Sequence, residues 1–255
     1  MGGRKSFDRV AEIYDDTRGL PPDIMTSVLD AMEEVVHKDR KVLDAGTGTG
    51  RFSVPLQARG FDVIGVDISM RMLEKARAKG ATGLMRGDLC ALPFRDRSFG
   101  AAVSVHVMHL ISTWRCALDE VARVTDGMFV SVSTVRDDDS PYERIRTRYD
   151  KACADRGHAV MHPGLREREL SNFLAPDEAR RIATNIHVFE TANVLERFGS
   201  RIFSDQWDVP EEVHSAAVDE LRKEYAGVPT LENREEISIL VWDMERVREF
   251  LSADG

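Results

Sequence analysis

The period of the hydrophobic pattern changes repeatedly along the chain. Val42-Leu43-Asp44-Ala45, opened by Lys41, and Phe61-Asp62-Val63-Ile64-Gly65-Val66-Asp67 are apolar runs of strand length. Before them, Ile24, Met25, Val28, Leu29, Met32, Val35 and Val36 fall on one face of a helix that starts at Pro21-Pro22, where proline costs no needed hydrogen bond. Phe7, Val10, Ala11, Ile13 and Tyr14 suit a short helix over Phe7–Arg18, and a helix after Gly50 is expected to end before Gly60. Ala101–Val105 reads as a buried fourth strand and Met128–Val135 as a fifth. Beyond these, Pro141 to about Arg156 and Gly164–Ile182 read as helices. Asn185–Ala192 and Ile237–Asp243 read as strands six and seven, closing the sheet as an antiparallel pair around an insertion, Phe198–Tyr225. The alternation predicts an α/β fold with a doubly wound, seven-stranded sheet, mostly parallel with one antiparallel strand.

The densest chemical signal follows the first strand. Gly46, Gly48 and Gly50 recur where a chain leaving a sheet must turn tightly and admit a ligand close to its backbone. The second strand then ends in Asp67, where such folds place a carboxylate against ribose hydroxyls. A plain turn and a helix-capping aspartate are the alternatives, but Ser69 is the better cap and leaves Asp67 to a ligand. A dinucleotide fingerprint, G-x-G-x-x-G, fails in both registers, because its third glycine falls on Arg51 or on Ser53. The pattern that fits is acid-x-G-x-G-x-G, from Asp44 to Gly50.

That pattern resembles motif I of the class I S-adenosylmethionine-dependent methyltransferases. Val66-Asp67-Ile68-Ser69, Arg86-Gly87-Asp88-Leu89 with Leu92-Pro93-Phe94, and Ala117–Val124 resemble later segments of the family in the same order, so the likeness runs over roughly residues 7–135. Within the family the chain most resembles methyltransferases of small molecules, the group related to methyltransferase type 11. The resemblance implies a Rossmann-like fold and S-adenosylmethionine as cofactor. It implies that Asp44, Gly46, Thr47, Gly48 and Gly50 form the cofactor turn, that Asp67 and Ile68 meet the ribose, and that Met72 lies on the adenine face. Gly87, Asp88 and Leu89 are expected at the adenine edge, with Asp88 accepting from its amino group and the Leu89 N–H offered to a ring nitrogen. Tyr14 is expected to reach the methionine carboxylate, unless its helix merely caps the core. His106, just beyond the fourth strand, is expected beside the sulfonium, orienting an acceptor or taking its proton; a histidine bonded to backbone is the alternative. His109 is expected to be structural, and no residue is singled out as a catalytic acid or base.

Composition narrows the partners. With 255 residues, 42% of them hydrophobic, the chain can bury a full core, and we expect one methyltransferase domain over residues 1–255. Residues 1–40 would form an N-terminal helical cap and 41–135 the cofactor-binding half. Residues 136–183 and 194–235 would be lid insertions, with 184–193 and 236–255 closing the sheet. A formal net charge of −9 argues against nucleic acid as a partner. Cys90, Cys116 and Cys153 have neither zinc-site nor disulfide spacing, so a reduced, cytoplasmic setting is expected. The start, Met1–Ser6, is no signal peptide and no later run is long enough to span a membrane; Gly2 and Ser6 match an N-myristoylation pattern that an ordinary glycine-rich start matches equally. Asp137-Asp138-Asp139 is a solvated loop or, less simply, a cation site. The function expected is in-line methyl transfer to an unidentified small molecule. The rivals are a non-catalytic S-adenosylmethionine-binding regulator, an NAD-dependent oxidoreductase, and a methyltransferase of RNA or protein. For amino-group targets the family's Asn-Pro-Pro-Tyr type of motif is replaced by Val105-His106-Val107-Met108.

Overall fold

Strand β1 (Val42–Ala45) is buried at every position, including Asp44, because it lies in the middle of the sheet with strands on both sides. The computed structural model describes residues 7–253; Met1–Ser6, with the acylation pattern, and the last two residues lie outside the described residues. A 3₁₀ turn (Phe7–Ile13) leads into α1 (Tyr14–Arg18), so the short helix expected there is two pieces of different winding. In chain order follow α2 (Pro22–Val35), β1, α3 (Ser53–Ala58), β2 (Val63–Asp67), α4 (Met70–Ala78), β3 (Leu84–Arg86), β4 (Phe99–Val103), α5 (Trp114–Val124) and β5 (Thr125–Arg136). The remainder comprises α6 (Pro141–Ala154), β6 (Glu178–Glu190), α7 (Thr191–Gly199), α8 (Glu211–Glu224), β7 (Thr230–Asp243) and α9 (Met244–Ala253).

The sheet order is β3-β2-β1-β4-β5-β7-β6, seven strands as expected. β1 pairs in parallel with β2 and β4, β2 with β3, and β4 with β5, so these strands all end on one side. β7 and β6 are antiparallel: Asp177 donates its N–H to Val241, Thr191 donates to Pro229, and numbering falls on one strand as it rises on the other. Ligand crevices of such sheets open at the carboxyl ends of the parallel strands.

Two expectations about the second half are corrected. Gly164–Ile182 is not helical, but a 3₁₀ turn (Glu167–Asn172) followed by β6, which begins well before Asn185. Pro176 stands between them; it lacks an N–H and pushes the residue before it to extended backbone. Arg180 and Arg181 hide the strand's alternation from a hydrophobicity reading, yet the Arg180 guanidinium is paired with Glu34 and Glu178 and so sits in a strand at little cost. β7 likewise begins at Thr230 rather than Ile237.

The chain forms two compact units. The first comprises residues 7–133, 163–182 and 238–253 among those described, and its core joins Leu43, Val66, Phe99, Leu118, Val121, Phe129, Trp242 and Val247. The second comprises 134–162 and 183–237, with a core of Tyr142, Ile145, Tyr149, Phe198, Phe203, Val218 and Leu221. In the latter, the Tyr149 hydroxyl lies 2.7 Å from His214 Nδ1; burial raises the pKa of the phenol and lowers that of the imidazole. Asp139 donates its N–H to the Asp137 carboxylate, and among the described residues no three metal-type side chains converge. No helix among them is long and apolar enough to cross a membrane.

Trp242 is the largest fully buried side chain; it packs 5.7 Å from the Phe129 ring and donates Nε1–H to the Leu174 carbonyl at 2.9 Å. Trp242→Phe leaves that carbonyl unpaired and a void beside it, and we expect a loss of about 1–3 kcal/mol in a denaturant melt.

Candidate functional site

The segments leaving the parallel strands line a cavity. Gly46 and Gly48 line it from the turn after β1, Asp67 and Ile68 from the end of β2, and Met72 from α4. Gly87, Asp88 and Leu89 come from the loop after β3, and His106, Val107, Leu110 and Ile111 from the loop after β4. Phe7 and Tyr14 come from the N-terminal segment.

The glycine turn is built from below. The N–H groups of Gly46 and Thr47 both donate to the Val66 carbonyl, at 2.8 and 3.0 Å, which holds the turn against β2. Gly46 has φ +82°, and a Cβ there would run into the Val107 side chain, so the position admits only glycine on two counts. Beneath the turn, Asp44 is fully buried, and one of its carboxylate oxygens accepts from the hydroxyls of Thr47, at 2.8 Å, and Ser53, at 2.6 Å. Burial raises the Asp44 pKa, and the Ser53 and Thr47 donors oppose the rise. Asp44, Thr47 and Gly50 therefore stand behind the cavity wall rather than in it, and the remaining ten residues expected at the site all line it.

Asp67 is the acid that faces the cavity. Its two oxygens accept from Gly48 N–H at 2.9 Å and Ser69 N–H at 2.8 Å, which fixes the plane of the carboxylate and leaves lone pairs for a ligand. Burial raises its pKa; the Ser69 and Gly48 N–H bonds pull against that, while Asp8 adds to it. Ser69 caps α4 as expected, accepting from Met72 N–H at 3.1 Å. Across the cavity, the Asp88 carboxylate accepts from Cys90 N–H at 3.0 Å, and His106 sits at φ +61°.

The N-terminal segment is tied over this side of the first unit by polar contacts. The Ser69 hydroxyl donates to Asp8, Lys75 pairs with Glu12, Lys79 pairs with Asp15 at 2.6 Å, and the Thr49 hydroxyl donates to Asp15 at 2.6 Å. These place Tyr14 on the cavity with its ring edge-on to Phe7 at 5.5 Å. Burial raises the Tyr14 pKa against the opposing charges of Arg51 and Arg18, so the phenol is a neutral donor at physiological pH.

The lining residues that sequence reasoning missed are Phe7, Val107, Leu110 and Ile111. Phe7 stands in the same F-D-x-x-A-x-x-Y-D segment as Tyr14 and was legible there. Val107, Leu110 and Ile111 belong to a loop with a 3₁₀ turn at Met108–Leu110, and nothing in their spacing distinguishes them from core.

Comparison with known proteins agrees with this geometry. Residues 43–130 match a family model described as a methyltransferase domain. A demethylmenaquinone methyltransferase of Renibacterium salmoninarum is 32% identical over 56% of this chain and 63% of its own. A malonyl-[acyl-carrier protein] O-methyltransferase of Halorhodospira halophila is 36% identical over 48% of this chain and 43% of its own. The chain thus spans about half the length of these two curated relatives. In fold it resembles the YcgJ protein of Bacillus subtilis, with a TM-score of 0.53 at 20% identity over 86% of this chain and 98% of the other. It also resembles an S-adenosylmethionine-dependent methyltransferase of Thermotoga maritima, with a TM-score of 0.51 at 19% identity over 93% and 98%. The stretch at residues 43–130, with its glycine turn and the acid that closes the second strand, is thus similar to the methyltransferase domain of these proteins.

Proposed function

We propose that this protein transfers the methyl group of S-adenosylmethionine to a small-molecule acceptor. The observation that carries the reading is the Asp67 carboxylate, held by two main-chain N–H groups at the end of β2 and turned into a cavity that adjoins the glycine turn. The residues present fit the cofactor. Asp67 supplies two oriented acceptors for a vicinal diol, Asp88 an acceptor for an exocyclic amine, and Ile68, Met72 and Leu89 the apolar faces on which a flat base rests. The neutral Tyr14 hydroxyl is a donor for the amino-acid carboxylate, and the Gly46–Gly48 backbone admits the chain between them.

The bound cofactor supplies a methyl carbon already activated by a sulfonium. The protein's task is then alignment: oriented pairs of reactants gain about 7–11 kcal/mol over free encounter, which asks for no nucleophilic triad. The groups on the β4 side, His106 with Val107, Leu110 and Ile111, form the wall that an acceptor with an apolar body would meet. His106 is the imidazole on that wall, suited to orient the acceptor's nucleophilic atom or to take its proton. The acceptors in the two relatives' names, a demethylmenaquinone and a malonyl carrier protein, differ from each other, so the acceptor here is left to be found. The rival oxidoreductase reading gains no support from the comparisons.

Calorimetric titration with S-adenosylmethionine, S-adenosylhomocysteine and NAD tests the reading. We expect saturable binding of the first two and a tenfold to hundredfold loss in Asp67→Ala, the scale of charge-assisted hydrogen bonds to a buried acid. Heat with NAD alone would favour the oxidoreductase, and binding without transfer of labelled methyl to any acceptor would favour a sensor. The pH dependence has a definite sign. A diol needs the ionised carboxylate, and burial holds the Asp67 pKa above its ordinary value, so cofactor affinity should fall as pH drops through that raised pKa. Titrations from neutrality downwards should trace this fall, and Asp67→Asn should flatten it.

A further inference from the structure

We infer that Glu167 is a positioning residue for the acceptor-side wall of the cavity, acting through the backbone of the loop after β4. The inference rests on the cofactor reading above. β4 ends at Val103, and three residues later His106 holds φ +61°, a conformation that is strained for a residue bearing a side chain. Something must hold it there. Glu167 Oε1 accepts from Val107 N–H at 2.7 Å, Met108 N–H at 3.1 Å and the Ser104 hydroxyl at 3.2 Å. Its side chain is only 5% exposed, so the carboxylate is tolerated because these donors replace its water.

Two further anchors hold the segment that carries Glu167 to this place. Gly164 donates its N–H to the His109 carbonyl at 3.0 Å, and a Cβ at Gly164 would run into the carbonyl oxygens of Met108 and Ile111. On the other side of Glu167, Leu170 is buried in the core and the Leu174 carbonyl receives the Trp242 indole. The segment 163–174 therefore straps the loop 104–111 without lining the cavity itself. Its effect reaches the cavity by way of His106 and Val107, both of which line it, and Val107 fills the space over Gly46. Releasing Glu167 frees the two amides, lets His106 relax from its left-handed backbone, and loosens the wall against the glycine turn.

The test uses the full chain, with S-adenosylhomocysteine as the probe. Glu167→Gln keeps a carbonyl acceptor but loses the charge; we expect binding three- to tenfold weaker, with Glu167→Ala and Gly164→Ala weaker still. Hydrogen exchange of the Val107 and Met108 amides should quicken in Glu167→Gln while the amides of β1 and β4 stay protected. A double-mutant cycle with His106→Ala separates positioning from mere structure: if Glu167 acts through this loop, its penalty shrinks in the His106→Ala background. Fully additive penalties, or a lowered melting point with unchanged affinity, would overturn the assignment. Should the wild-type protein ignore S-adenosylhomocysteine, the cofactor reading fails on its own. The exchange measurement then still decides whether Glu167 holds the loop, and unchanged protection of Val107 and Met108 would refute it.

Discussion

A carboxylate with no route to water organises the glycine-turn side of the cavity. Asp44 lies in the middle of a parallel sheet, where an isolated charge would cost several kcal/mol. The Thr47 and Ser53 hydroxyls both turn inward to it, and each comes from a different part of the glycine turn and the helix beyond. Satisfying the buried acid therefore dictates how the turn folds. Once Thr47 is drawn down, Gly46 and Thr47 reach the Val66 carbonyl, and Gly48 is left with its N–H pointing at Asp67. The acid that faces the cavity is thus oriented by the acid that stands behind it.

The two carboxylates also work against each other. Burial raises the pKa of both, Asp67 adds to the rise at Asp44, and directed N–H and O–H donors oppose it at each. A ligand that donates two hydroxyls would replace the water that Asp67 has lost. The N-terminal segment closes over the same region with a different kind of contact. Its ion pairs to Lys75 and Lys79 are exposed, and exposed pairs contribute only about 0–1 kcal/mol each. Phe7 and Tyr14 of the segment line the cavity itself.

On the opposite wall the constraint is again a buried carboxylate. Glu167 gathers the backbone of the loop after β4 as Asp44 gathers the glycine turn, one from sixty residues away and the other from three. The cavity is bounded by two loops, each shaped by an acid that does not line it.

Much of this was legible in the sequence because it is local. The apolar runs set the strands of the first half, the glycines and the acid at the end of the second strand set the crevice, and Ser69 announced its helix cap. Ten of the thirteen residues expected to bind cofactor line the cavity, and eight of those ten take their positions from strand ends. Tertiary structure decided the rest. Whether Asp44 points to ligand or to its own turn depends on hydroxyls that only folding brings beneath it. Gly164–Ile182 reads as helical, but Pro176 interrupts it and pairing with β7 makes its second part a strand. Val107, Leu110, Ile111 and Glu167 gained their places through contacts between distant segments, and no periodicity or motif encodes a partner sixty residues away.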